Sequence, residues 1–336
     1  MTVALLLAAC SSPPASEAGP TTAAVAPTPA TSSSTTSTTA PPAPTTPALP
    51  GLPGGTVLAV KIDNTAGARP RLGVERAAVV YVEPVEGGLT RLLAVFSTGA
   101  GDLPAEVGPI RSARESDVAL LASWGRVALA FSGGSAFTRG VVDQANLASI
   151  PYDASTQGYR RAGDRRAPYN VIGNTQALLV RAGTGPTTSD PGFRFGPAGP
   201  GGTPGPSVTT AWPASRVTFT WDAPSGRYLL TTDGRPDVAA GGARVGAATV
   251  VVQEVPARLS ENRDVNGAQT PVVDVIGHGP VTVLRDGQVW RGDWSRPDLG
   301  SPTGYTVGGQ SGQPIPMASG PVWVLLVPAG QAVAVG

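Results

Sequence analysis

SARESDVALLASWGRVALAF, residues 112–131, sets a helix signal against a strand signal with one glycine between them. Ser112-Ala113-Arg114-Glu115 has the form of a capping box, the Ser112 hydroxyl accepting from the Glu115 amide while the Glu115 carboxylate reaches back. Val118, Leu121 and Ala122 follow at helical spacing, and Gly125 stops the segment. Residues 127–131 are then a short, wholly apolar run of the kind that forms a buried strand. Upstream, residues 57–62, 78–82 and 92–97 carry the same strand pattern. Downstream, Ser132-Gly133-Gly134-Ser135 turns into a second helix over 136–143, and Asn174 caps a third over 175–182. Strands and helices in this alternation predict a mixed α/β domain over 56–183.

The pattern changes after residue 183. Residues 184–212 are rich in Gly, Pro and Thr and read as a linker. Residues 213–333 read as a β-rich domain, a small sandwich or partly open barrel. Val217, Phe219 and Trp221 alternate with threonines, Pro224-Ser225-Gly226 turns the chain, and Asp286-Gly287 marks a second hairpin. The fold class is therefore α+β.

The beginning of the chain is different again. Residues 1–9 are short and apolar, and Leu7-Ala8-Ala9-Cys10 resembles a bacterial lipobox, whose cysteine is lipidated and becomes the mature N-terminus. No basic residue precedes the apolar stretch, which reads as a start codon placed too far downstream. Residues 11–55 form a Pro-, Ser-, Thr- and Ala-rich tether too poor in apolar side chains to offset its ordering entropy. Its 11–50 stretch spans between roughly 35 Å as a coil and roughly 120 Å as polyproline. Membrane attachment through lipidated Cys10 is the partner this predicts, on the outer face of the cytoplasmic membrane.

Composition excludes several functions. With 24 basic against 23 acidic side chains the net charge is +1, too little for a broad field that would hold a nucleic acid. Cys10 and His278 are single, which removes a Cys/His zinc site from the folded region, and no metal or cofactor is expected. Gly133-Gly134-Ser135 is too short for a nucleotide fingerprint. Lys61 is the sole lysine, the rest of the basic residues being arginine, as a GC-rich, actinobacteria-like coding bias produces.

Ala68-Arg69-Pro70, Tyr81-Val82-Glu83 to Val85-Glu86-Gly87-Gly88-Leu89-Thr90-Arg91, Gly108-Pro109-Ile110-Arg111-Ser112-Ala113-Arg114, Gly133-Gly134-Ser135 and Arg166-Ala167-Pro168-Tyr169-Asn170 resemble the successive signatures of the YerB-like lipoproteins, domain of unknown function 3048. The resemblance continues through Tyr228, residues 250–254, Gly292-Asp293-Trp294 and Val322-Trp323. It implies an envelope lipoprotein with a mixed N-terminal domain, a β-rich C-terminal domain and no determined activity. Tyr169 stands where the family tends to have His, and Gly234-Arg235-Pro236-Asp237 lacks another.

Two readings of the polar residues compete. In the first, Arg111 and Arg114 flank a helix N-terminus, Arg69 and Arg91 converge on it, and Ser112, Gly133, Gly134, Ser135 and Asn170 complete a site for a carboxylate or phosphate. The bland counterpart has these arginines paired with Glu83, Glu86 and Glu115. In the second, Glu83 and Glu86 act as a carboxylate pair hydrolysing an envelope glycan. Three residues apart on a straight strand they would face opposite sides, but Pro84 and Gly87-Gly88 bend the chain. The leading expectation is a non-catalytic envelope lipoprotein binding an anionic cell-wall ligand or an envelope protein; a structural scaffold lipoprotein is the third. The tryptophans of the β region are expected to pack its core.

Overall fold

The computed structural model describes residues 51–52, 54–185, 189–264 and 267–336. Cys10, its lipobox and tether residues 11–50 lie outside the described residues.

A 12-stranded mixed sheet runs through both predicted regions. Val57–Asp63 lies antiparallel to Thr90–Ser97 and parallel to Val127–Phe131, which is itself parallel to Leu147–Pro151. Ala136–Gln144 is the helix that crosses between those last two strands. Val79–Pro84 flanks Thr90–Ser97 on its other side. The strand beyond is Val322–Pro328, parallel both to Val79–Pro84 and to Thr249–Val255. From there the sheet continues through Gly277–Arg285, Gln288–Arg296 and Gly304–Val307. The mixed N-terminal part and the β-rich remainder are as the sequence indicates, and no barrel closes. The hydrogen-bonded ladder nevertheless crosses from one to the other without a break.

Alternation along the strands sends neighbouring residues to opposite faces, and each face has its own core. Leu58, Val80, Leu92, Val250, Leu325 and Trp323 meet a second, 6-stranded sheet, to which Ser207–Trp212, Ser215–Asp222 and Arg227–Thr232 belong. Phe219 packs edge-on against Trp323, ring centroids 5.5 Å apart. On the other face Ala59, Tyr81, Val95, Val251 and Val324 pack beneath Leu121, Trp124 and Phe193.

Three sequence expectations need revision. The helix over residues 116–121 starts at Ser116, not Ser112, and no side chain forms the predicted capping box. Asp117 Oδ2 instead accepts from the Arg114 main-chain N–H at 2.7 Å. The 184–212 stretch is no free linker in its described part. Phe193 is buried between Trp124 and Tyr305, Thr203–Pro204 pairs with Gln288 and Val289, and Ser207–Trp212 is a strand. His278, which its flanking glycines would put in a turn, stands exposed on a strand opposite Ser295. Elsewhere local signals hold: Ser135 accepts from Thr138 N at 3.0 Å, Asn174 accepts from Ala177 N at 2.9 Å, and Asp286-Gly287 turns with φ of 51° and 72°.

Candidate functional site

Six strands of the large sheet take part in parallel pairs and run the same way, so their carboxyl ends share one edge, where open α/β sheets gather their ligand-binding loops. At that edge residues 109–113 insert between two neighbouring strands. Arg111 N donates to Lys61 O at 2.9 Å, Ser132 N donates to Arg111 O at 2.9 Å, and Ala113 N donates to Gly133 O at 3.1 Å. Gly133 has φ 86°, and a Cβ there would stand 2.9 Å from Ser112 Oγ, so glycine is what lets the two loops touch.

The insertion opens a cleft of about 700 Å³. Its walls include Arg91, Arg111, Ser112, Arg114, Gly133, Gly134 and Ser135 of the proposed anion site, together with Glu86 of the proposed carboxylate pair. The far wall comes from the hairpin of Ala257–Arg263 and Gln269–Val273, which supplies Asn262 and Thr270. Asn262 Nδ2 donates to Ser135 Oγ at 2.7 Å, Thr270 Oγ1 donates to Glu86, and Ser260 Oγ donates to Glu115 Oε1 at 2.6 Å. Sequence reasoning did not find this wall, nor Arg139 and Asp153 at the rim.

The arginines are unequal. Arg114 is buried and holds Glu86 through Nε, at 3.1 Å, and through Nη2. Burial works to raise the Glu86 pKa, but the Arg114 charge, its hydrogen bond and that of Thr270 outweigh it and hold the carboxyl below its ordinary value. Arg111 gives Nε to Asp63 Oδ2 at 2.7 Å. Arg91 is half-buried, donates only to Ser112 O at 3.4 Å, and among the described residues has no carboxylate at ion-pair distance. Burial first, then the charges of Arg114 and Arg111, push its pKa down to about 10, which leaves it a cation at neutral pH.

Three expected site residues fall elsewhere. Arg69 donates Nη2 to Asp233 Oδ2 at 2.7 Å and to Asn64 O at 3.0 Å, tying the N-terminal region to the second sheet. Beside it Arg71, fully buried, gives Nη2 to Asp237 Oδ2 at 2.6 Å. Asn170 accepts from Arg161 Nη1 at 2.9 Å and does not line the cleft. Glu83 is 1% exposed and faces Lys61, which also donates to Asp117 Oδ1 at 2.8 Å. Glu83 and Glu86 therefore do not share a hollow, because Pro84 ends the strand and the Glu86–Gly88 turn carries Glu86 outward. The two are not arranged as a carboxylate pair across a substrate.

Among the described residues no helix is long and apolar enough to cross a membrane. A 63-residue stretch is 43% identical to "Putative lipoprotein YerB" of Bacillus subtilis (strain 168), covering 19% of this chain and 18% of that protein. The crystal structure of the YerB protein from Bacillus subtilis matches with a TM-score of 0.72 over 85% of this chain and 95% of that one, at 21% identity, which is a likeness of fold. Residues 48–187 match the family model "Protein of unknown function (DUF3048) N-terminal domain", and residues 208–324 match its C-terminal counterpart. With both domains present in order, the chain belongs to the DUF3048 family.

Proposed function

We propose that this chain is an envelope lipoprotein, anchored through Cys10 at the outer face of the cytoplasmic membrane, whose cleft holds an anionic group of a cell-wall polymer or envelope protein. The YerB relative carries the lipoprotein name, and the lipobox pattern at residues 7–10 gives this chain the cysteine such anchoring needs. The observation behind the binding reading is Arg91: a half-buried guanidinium on the cleft wall, with two neighbouring cations and, among the described residues, no acid at ion-pair distance. Asp63 and Glu86 are engaged by Arg111 and Arg114, so an incoming carboxylate or phosphate oxygen would supply what Arg91 lacks.

Retention of the purified full chain on isolated cell-envelope material tests this. Arg91→Gln is expected to weaken retention at least tenfold with the melting temperature essentially unchanged. Retention equal to that of the unaltered chain would overturn the reading.

A further inference from the structure

The cleft presents unpaired charge of both signs. Asp153, exposed at its rim, accepts the Gly133 amide on Oδ2 at 2.6 Å, and no basic side chain of the described residues reaches it as an ion pair. Arg139, also exposed, donates Nη1 to the Gly134 carbonyl at 2.6 Å and likewise has no acid at ion-pair distance. An exposed carboxylate is out of place in a cleft that takes up anions alone, since it repels what Arg91 attracts. The conflict disappears if the same ligand carries a cation.

We infer that the ligand is a small zwitterion, a short peptide with both ends free, its carboxylate on Arg91 and its ammonium on Asp153. This rests on the anion-binding reading above and extends it. Among the described residues Arg91 Nε and Nη2 have no acceptor, the two-pronged fork that suits a planar carboxylate. Asp153 keeps Oδ1 for an ammonium. Asn262, on the wall supplied by the C-terminal family domain, adds amide chemistry that can meet peptide groups. Among the described residues no aromatic side chain lines the cleft, so sugar rings and bases find no stacking platform there. Its volume of about 700 Å³ suits a ligand of a few residues.

Calorimetry on the full chain tests the inference with a mixed library of free tripeptides, the same library N-acetylated, the same library C-amidated, and inorganic phosphate. Binding of the free library is expected, with each modification weakening it at least tenfold. Asp153→Asn, which keeps an acceptor for Gly133, should abolish the discrimination against acetylation only. Arg91→Gln should abolish the discrimination against amidation only. Acetylated peptides binding as tightly as free ones, or phosphate binding without any tripeptide, overturns the zwitterion and leaves the anion reading intact. No binding by any probe, together with undiminished envelope retention of Arg91→Gln, overturns both.

Discussion

Asp117 Oδ1 accepts from Lys61 Nζ at 2.8 Å in the interior of the protein, and both side chains are 0% exposed. The other oxygen of Asp117 takes the Arg114 amide, Arg114 grips Glu86, and Glu86 receives Thr270. One lysine thus begins a hydrogen-bonded chain that ends on the far wall of the cleft. Lys61→Met would leave two carboxylates buried around an apolar tail, a loss of roughly 3–5 kcal/mol. Urea unfolding should show the drop as a lower midpoint with an unchanged slope.

Stability should also depend on the proton that Glu83 carries. Burial first, then the Asp117 charge, raise its pKa from 4.5 to about 8 against the pull of Lys61, because one ammonium does not neutralise two carboxylates. The folded state therefore keeps a proton that the unfolded chain releases near 4.5. This contribution is fully present below the unfolded value and is lost as pH rises toward the folded one. Between pH 5 and pH 9 the urea midpoint is expected to fall, and to fall less in Glu83→Gln. Parallel profiles for the two proteins would contradict this.

Arg114 and Arg91 should separate structure from recognition. Arg114→Ala strands Glu86 in a largely buried site and is expected to cost roughly 3–5 kcal/mol. Arg91→Gln relieves repulsion with Arg111 and Arg114 and should change stability by less than about 1 kcal/mol. Thermal unfolding of the two variants side by side checks the contrast.

The junction between the two family domains offers a third site. Asp237 accepts from Arg71 and, at 2.9 Å, from Thr232, and both arginine and aspartate are buried. Asp237→Ala leaves Arg71 without its counter-charge. A destabilisation of roughly 3–5 kcal/mol is expected, with one transition, since the large sheet crosses the junction.

Cys10→Ser removes the sulfur that lipidation requires. In cell fractionation the variant is expected to leave the membrane fraction, and continued membrane association would contradict the anchor.

Local chemistry was readable wherever a short-range hydrogen bond decided the outcome. Asn174 and Ser135 cap their helices as the residue types suggest, and Asp286-Gly287 makes its turn. Ser112 does not cap because the helix starts at Ser116 and the Glu115 carboxylate, the other half of the box, accepts from Ser260 145 positions further on, which spacing alone does not reveal. Arg91, Arg111 and Arg114 line one cleft because they lie close to strand ends on the same edge of one sheet. Arg69 lies outside the cleft because its acceptor Asp233 and the nearby charge of Asp237 are more than 160 positions further on. Lys61 did carry a signal. In a chain that otherwise uses arginine, the sole lysine sits where a compact ammonium must fit between two acids.

The position of Val322–Pro328 bears on how the chain completes its folding. Both of its partners, Val79–Pro84 and Thr249–Val255, are synthesised well before it, and their facing backbone edges stay without a neighbour until it arrives. A nascent chain halted short of this segment would present two sticky ribbons in place of a finished protein. Quality-control proteases and holding chaperones would meet that species first.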